Sequence, residues 1–220
     1  MKVKLLSSTP NALDVVYKAM KTCYSEVSPI DIPLPNDIEK LKLVNKVIAS
    51  GHLSPVEHVN FTFGIENITR ACSHQLVRHR HCSFSQQSQR YVKFENLKGV
   101  CPDSIIDNEQ AFGIYIETLN KIDEGYKKLL ELGIKPEDAR SVLPNCTTTN
   151  ITMTLNLREL MHICNERLCS RAQKEIRELV GKMCAEVITA EYWTEQFLVP
   201  KCEKLGYCPE HNGCGRVQGK

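Results

Sequence analysis

Stretches of helical and strand periodicity follow one another in this 220-residue chain without the regular β-α alternation that a doubly wound parallel sheet requires. That irregular order constrains the fold most. It selects an α+β class: a single domain, with a mainly antiparallel sheet flanked by long helices. Strands are expected over residues 3–6, over residues 56–65, where Val59, Phe61 and Phe63 alternate with polar neighbours, and over the β-branched residues 147–155. Helices are expected over residues 11–24, from an Asn36 cap to Gly51, over 68–79, and over 107–132 with a stop at Gly133. A short helix beginning at Pro136 carries Arg140. Asn156 with Glu159 forms a capping-box pattern for a later helix, and Ser170 to Gln173 forms another for the last one. A domain over residues 1–199 is followed by a Gly/Cys-rich tail over residues 200–220.

Composition narrows the class of function. A net charge of +2, from 28 basic and 26 acidic residues, is too small for a nucleic-acid coat, so any basic function must be local. Eleven cysteines, an odd number, read as reduced thiols in a cytoplasmic protein, mostly acting as small hydrophobes. No apolar run is long enough to span a bilayer, so no membrane partner is expected. Cys202, Cys208, His211 and Cys214 offer zinc-type donors, but their spacing is not a common zinc pattern, and no metal is expected. Phosphate-loop and G-x-G-x-x-G motifs are absent from the sequence.

Residues 78–91, RHRHCSFSQQSQRY, place three arginines, two histidines and a dense set of hydroxyls and amides in fourteen positions. Such a stretch enters a core only if every donor is paired. By itself it is a solvated basic surface or a recognition segment: arginine forks suit phosphate, and Gln and Ser suit the edges of a pyrimidine or flavin ring. An RNA-binding module would also need aromatic platforms, and only Phe84 and Tyr91 interrupt the segment. No nucleic-acid polymer is therefore expected as a partner.

Arg78-His79-Arg80, followed by seven residues and Ser88, resembles the signature of flavin-dependent thymidylate synthase. Supporting blocks occur in order: GHLSPVEH at residues 51–58, DARSVLP at 138–144, and NLRELMH at 156–162, followed by Asn165-Glu166-Arg167. The resemblance implies reductive methylation of dUMP to dTMP. Methylenetetrahydrofolate would be the carbon donor, NADPH the reductant and FAD the hydride carrier, in a homotetramer with shared sites.

It also implies residue roles. Ser54, Arg78, His79, Arg80, Gln86, Asn156, Leu157, Arg158 and His162 would contact FAD. Gln75, Leu76, Val77, Arg78, Gln86, Gln87, Ser88, Gln89, Arg90, Arg140 and Arg167 would hold dUMP. Gln86 stands where the family often has glutamate. Arg167 would act on the pyrimidine, His52 would lie near the flavin, and Ser88 would join them in the catalytic set. Arg167 cannot give up its proton, so its part is electrostatic. Ser88 reads better as a hydrogen-bonding residue than as a nucleophile. The Pro-Cys-His context of the cysteine-dependent thymidylate synthases is absent from the sequence.

Overall fold

The computed structural model describes residues 1–219; Lys220, the last residue of the expected tail, lies outside them. In chain order the elements are β1 (Lys2–Ser8), α1 (Ala12–Thr22), α2 (Asp37–Ala49), β2 (Asn60–Thr69), α3 (Arg70–Leu76) and β3 (Cys82–Gln86). They continue with α4 (Asp103–Ile106), α5 (Glu109–Glu131), α6 (Pro136–Ala139), β4 (Thr148–Asn156), α7 (Leu157–Arg167), α8 (Lys174–Ala190) and α9 (Lys201–Leu205). The strands form one antiparallel sheet in the order β1-β2-β4-β3, and the class is α+β as expected.

The chain clusters into two compact units that interleave along the sequence. The first holds residues 3–64, 79–84 and 152 onward. Its core is built from Val16 and Met20 of α1, Phe61 and Phe63 of β2, Met153 and Leu155 of β4, Leu160 and Ile163 of α7, and Ile176, Leu179 and Met183 of α8, all at most 2% exposed. Side chains at alternate strand positions and at three- and four-residue helix spacings produce that core. The second holds residues 1–2, 65–78 and 85–151. It buries Ile68, Leu76, Tyr126 and Ile151, while α5 carries exposed Phe112, Ile114 and Ile116.

Several expectations need correction. Residues 54–58 form a 3-10 turn begun by Ser54-Pro55, so β2 starts later than residue 56 and runs on to Thr69. The segment over residues 78–91, for which no strand was expected, contains β3. Its alternating half-buried and exposed residues include too many polar side chains to announce a strand. Ser170 does not cap the last long helix: α8 begins at Lys174 with Gln173 at the cap position and no side-chain cap bond. Within the tail, α9 follows Pro200 and is closed by Gly206 at φ 74°. The Asn36 and Asn156 caps are as read, accepting from Glu39 N at 3.0 Å and Glu159 N at 2.9 Å.

Candidate active site

In the first unit, α7 organises the chemistry. Leu157 N donates to Val59 O at 2.8 Å, and the Asn156 cap satisfies a first-turn amide, so α7 leaves β4 at a fixed angle. Arg158, His162 and Asn165 lie four and three residues apart on one α7 face, lining a cavity of about 620 Å³ together with Glu57, Glu159 and Lys204. Arg158 pairs with Glu57. Asn165 Oδ1 is buried and has no hydrogen-bond partner, an acceptor awaiting a donor.

His79 is 7% exposed, while Arg78 and Arg80 on either side of it are exposed. Arg167, the last residue of α7, donates from Nε to His79 Nε2 at 3.0 Å. Arginine only donates, so Nε2 is the acceptor and the ring is the neutral tautomer protonated on Nδ1. Glu159 Oε1 lies 3.8 Å from that Nδ1, and the His162 ring meets His79 edge-on at 5.9 Å. Burial, then the Arg167 charge, then His162 hold the His79 pKa down at about 4. The imidazole is therefore an uncharged prop for Arg167 at neutral pH.

Among the described residues, only His79, Glu159 and His162 bring three metal-ligand atoms within 4.8 Å of one another. The Arg167 hydrogen bond occupies the single lone pair of the neutral His79 ring, so a metal would have to displace that bond. Cys82 faces the same carboxylate; burial, then the Glu159 charge, push its thiol up to about 12, which makes it a poor nucleophile. Arg167 also lines a second cavity, of about 210 Å³, with Cys169, Cys202, Cys208 and Cys214.

The second unit holds most residues expected to bind the nucleotide. Gln86 Nε2 donates to Ser73 Oγ at 3.0 Å and to Thr149 Oγ1 at 3.2 Å, which ties down the end of β3. Gln87 N donates to Asn150 O at 2.9 Å, and its side chain accepts from Asn150. Ser88 Oγ accepts from Arg90 N at 3.1 Å, so it shapes a turn; no base is hydrogen-bonded to it among the described residues. Arg90 forms a two-nitrogen bond with Glu137 Oε2, at 3.0 and 2.8 Å. Arg140 Nε donates to Glu137 O at 3.0 Å. Gln89 and Arg140 line a cavity of about 270 Å³ with Arg70 and His74.

Other expected residues are buried or lie outside the 620 Å³ cavity. Leu76 and Leu157 are fully buried, so their side chains serve packing. His52 and Ser54 are exposed at the start of the 3-10 turn, and neither lines the 620 Å³ cavity, whereas Leu53 and Glu57 do. Sequence reasoning missed Glu57, Glu159, Asn165, Arg70 and His74. Glu159 had a signal, its capping-box position; the others are polar residues at ordinary helical spacings.

The residues lining the 620 Å³ cavity fit a flavin: its volume lies in the usual ligand range, and an orphan amide oxygen, cations and imidazoles converge there. The family model for thymidylate synthase complementing proteins matches residues 4–190. A flavin-dependent thymidylate synthase of Nitratidesulfovibrio vulgaris is 41% identical, with 98% of this chain and 94% of that protein covered. One of Clostridium tetani is 39% identical, covering 99% and 94%. Among solved structures, a UMP/dUMP methylase of Streptomyces cacaoi bound with 5-Br dUMP superposes with a TM-score of 0.77 at 26% identity, covering 89% of this chain and 93% of that one. A flavin-dependent thymidylate synthase of Helicobacter pylori complexed with FAD and dUMP shares the fold, with a TM-score of 0.73 at 22% identity over 90% and 100%. Agreement along nearly the whole length of these relatives places the chain in the flavin-dependent thymidylate synthase family.

Proposed function

We propose that this protein is a flavin-dependent thymidylate synthase, converting dUMP to dTMP with methylenetetrahydrofolate as carbon donor and NADPH as reductant. The observation that carries the reading is the Arg167–His79 pair at 3.0 Å, a guanidinium braced by a neutral imidazole at the end of a rigid helix. FAD, when bound, accepts electrons from NADPH and returns a hydride. Arg158, His162 and Asn156 would hold it, with Asn165 Oδ1 as an acceptor for a ring N–H.

Arg167 supplies the electrostatics. Its Nε is engaged by His79, which orients the two terminal nitrogens for the pyrimidine. A fixed positive charge facing N3 favours negative charge spread over the ring and its oxygens, making C5 a better nucleophile. Keeping His79 neutral matters, because an imidazolium would repel Arg167 and could not accept its proton. Gln86 and Ser88 hold the recognition segment in shape, and Gln87, Gln89, Arg90 and Arg140 present donors for the nucleotide.

Two further parts of the reading concern organisation. The catalytic part spans residues 1–199, with residues 200–220 as an appended tail; the family match over residues 4–190 supports this division. The active species is a homotetramer with shared sites, which the apolar face of α5, with Ile114, Tyr115, Leu119 and Ile122 lining a cavity of about 400 Å³, supports. A cytoplasmic location suits eleven cysteines that are all free of disulfides. No helix of the described residues is long and apolar enough to cross a membrane.

One preparation tests the function. Purified protein should be yellow, its flavin absorbance should bleach with NADPH, and it should form dTMP from dUMP only when methylenetetrahydrofolate is present. Colourless protein that gains no activity with added FAD refutes the reading. Sedimentation of a fully active monomer would refute the shared site.

A further inference from the structure

We infer that Cys214 and Cys208, lining the cavity of about 210 Å³ at the end of α7, form a thiol pair that a hydroperoxide closes reversibly to a disulfide. The disulfide itself is independent of the proposed function; its effect on turnover rests on that reading.

The C-terminal segment is held against the loop that follows α7. Glu210 pairs with Arg171 at 3.2 Å, and Glu203 of α9 pairs with Arg216. Cys208 N donates to Gln218 O at 2.9 Å and Cys208 bridges to Gly219, so the chain from 208 to 219 closes into a loop that contains Cys214. Cys169, Cys202, Cys208 and Cys214 all line the cavity there, beside Arg167. A metal cage would gather their sulfurs, but among the described residues no three of these sulfurs lie within 4.8 Å of one another. The thiols share a cavity without forming a cage.

Cys214 is the thiol suited to attack. It is exposed, the Ser170 side chain hydrogen-bonds its sulfur, and the Arg216 N–H adds a second bond; together these lower its pKa. Thiolate is the form that reacts with peroxide, and redox-active cysteines are accessible, acidic and close to a second thiol. Cys164 and Cys184 make the contrast. Their sulfurs are only 3.2 Å apart, but the pair is buried, and its hydrogen bond, then burial, push the Cys164 thiol well up.

Cys208 stands across the turn from Cys214. Its Cβ is 3.6 Å, and its Sγ 3.2 Å, from the point where a Cβ on residue 213 would stand. A disulfide needs Cβ atoms ~3.8 Å apart, so a shift of one residue's reach completes the pair. Glycines on both sides of Cys214 permit that shift, Gly215 already at φ 81°. The Cys214 thiolate attacks one peroxide oxygen, and the O–O bond breaks. With one proton taken up, this gives a sulfenic acid and water. The Cys208 sulfur then attacks the sulfenic sulfur, forming the S–S bond and releasing the second water. Two thiols lose two electrons, and the peroxide gains them. The new bond draws the Cys214 sulfur away from Ser170, three residues past Arg167, so the loop behind Arg167 loses an anchor.

The test treats full-length, flavin-loaded, reduced enzyme with hydrogen peroxide in the absence of NADPH, then maps disulfides by mass spectrometry. One Cys208–Cys214 link within a chain is expected. Formation of dTMP should fall by roughly 10- to 100-fold, since a misplacement of about 1 Å can cost that much, and dithiothreitol should restore it. Cys208→Ser and Cys214→Ser should keep basal turnover and resist peroxide, and Cys208→Ser should hold a Cys214 sulfenic acid that dimedone captures. A link through Cys169, Cys202 or the buried Cys164–Cys184 pair overturns the inference, as does a link between two chains or stoichiometric zinc on the four thiols. Equal peroxide damage in both variants also overturns it. A mapped Cys208–Cys214 link with undiminished dTMP formation overturns the control of turnover and leaves the proposed function intact. If a variant fails to fold, disulfide mapping and dithiothreitol recovery on the wild type carry the test.

Discussion

Replacing Arg167 with lysine separates activation of the pyrimidine from organisation of the flavin site. In the wild type Arg167 Nε donates to the buried His79 Nε2 at 3.0 Å, in a part-buried setting. Lysine keeps one positive charge but has a single nitrogen, so it can satisfy His79 or face the ring, not both. If it turns to the ring, a buried imidazole acceptor is left unmatched, at a cost of about 1–3 kcal/mol. If it stays with His79, the donors facing N3 are lost, and removing one preorganised donor typically costs ~10²–10³ in rate. Either outcome falls on the methylation step. The assay is paired on one preparation: flavin reduction by NADPH without nucleotide, and dTMP formation with all substrates. Flavin reduction should stay within a few-fold of wild type, while dTMP formation falls by roughly 10²–10³. Equal loss in both would show that Arg167 organises the flavin site, and unchanged dTMP formation would refute its role in activation.

Acid should unfold the protein partly through His79. Its folded pKa of about 4 lies below the ordinary 6.5, so the unfolded chain takes up the proton first. Its contribution is whole above pH ~6.5 and is lost as pH falls toward ~4, at most about 3 kcal/mol; chemical denaturation against pH should show it, and His79→Asn should flatten that slope. Ser88→Ala should cost about 0.5–1.5 kcal/mol in nucleotide binding or local turn stability, and retain turnover; complete loss of turnover with flavin and dUMP still bound would restore a nucleophilic role. Replacing Cys208 and Cys214 with serine should leave dTMP formation unchanged, and metal analysis of the wild type should find no stoichiometric zinc. Zinc that disappears in the double variant would contradict this.

Much of the fold was written in local signals. The Asn36 and Asn156 caps, Gly51 and Gly133 at positive φ, and the alternation of Val59, Phe61 and Phe63 each act through nearest neighbours, so they act alike in any tertiary setting. The Arg-His-Arg run and Ser88 marked the recognition segment through their resemblance to the family signature, since by composition alone the stretch also reads as a solvated basic surface. β3 was not legible, because the alternation of Cys82 and Phe84 with Ser83 and Ser85 spans only five residues inside a run of basic and amide side chains.

Tertiary structure decided which residues act and in what state. Sequence adjacency makes Arg78, His79 and Arg80 equivalent, but folding buries only His79 and sets it against Arg167, 88 positions away, fixing its tautomer and lowering its pKa. Likewise Arg70 and Arg140 are ordinary arginines along the chain. Folding brings the start of α3 and the segment after α6 to one cavity, where burial and then the Arg140 charge lower the Arg70 pKa. The physical reason is range. Capping and periodicity act over three or four residues, whereas burial, ionisation and charge pairing depend on neighbours that only the completed fold supplies.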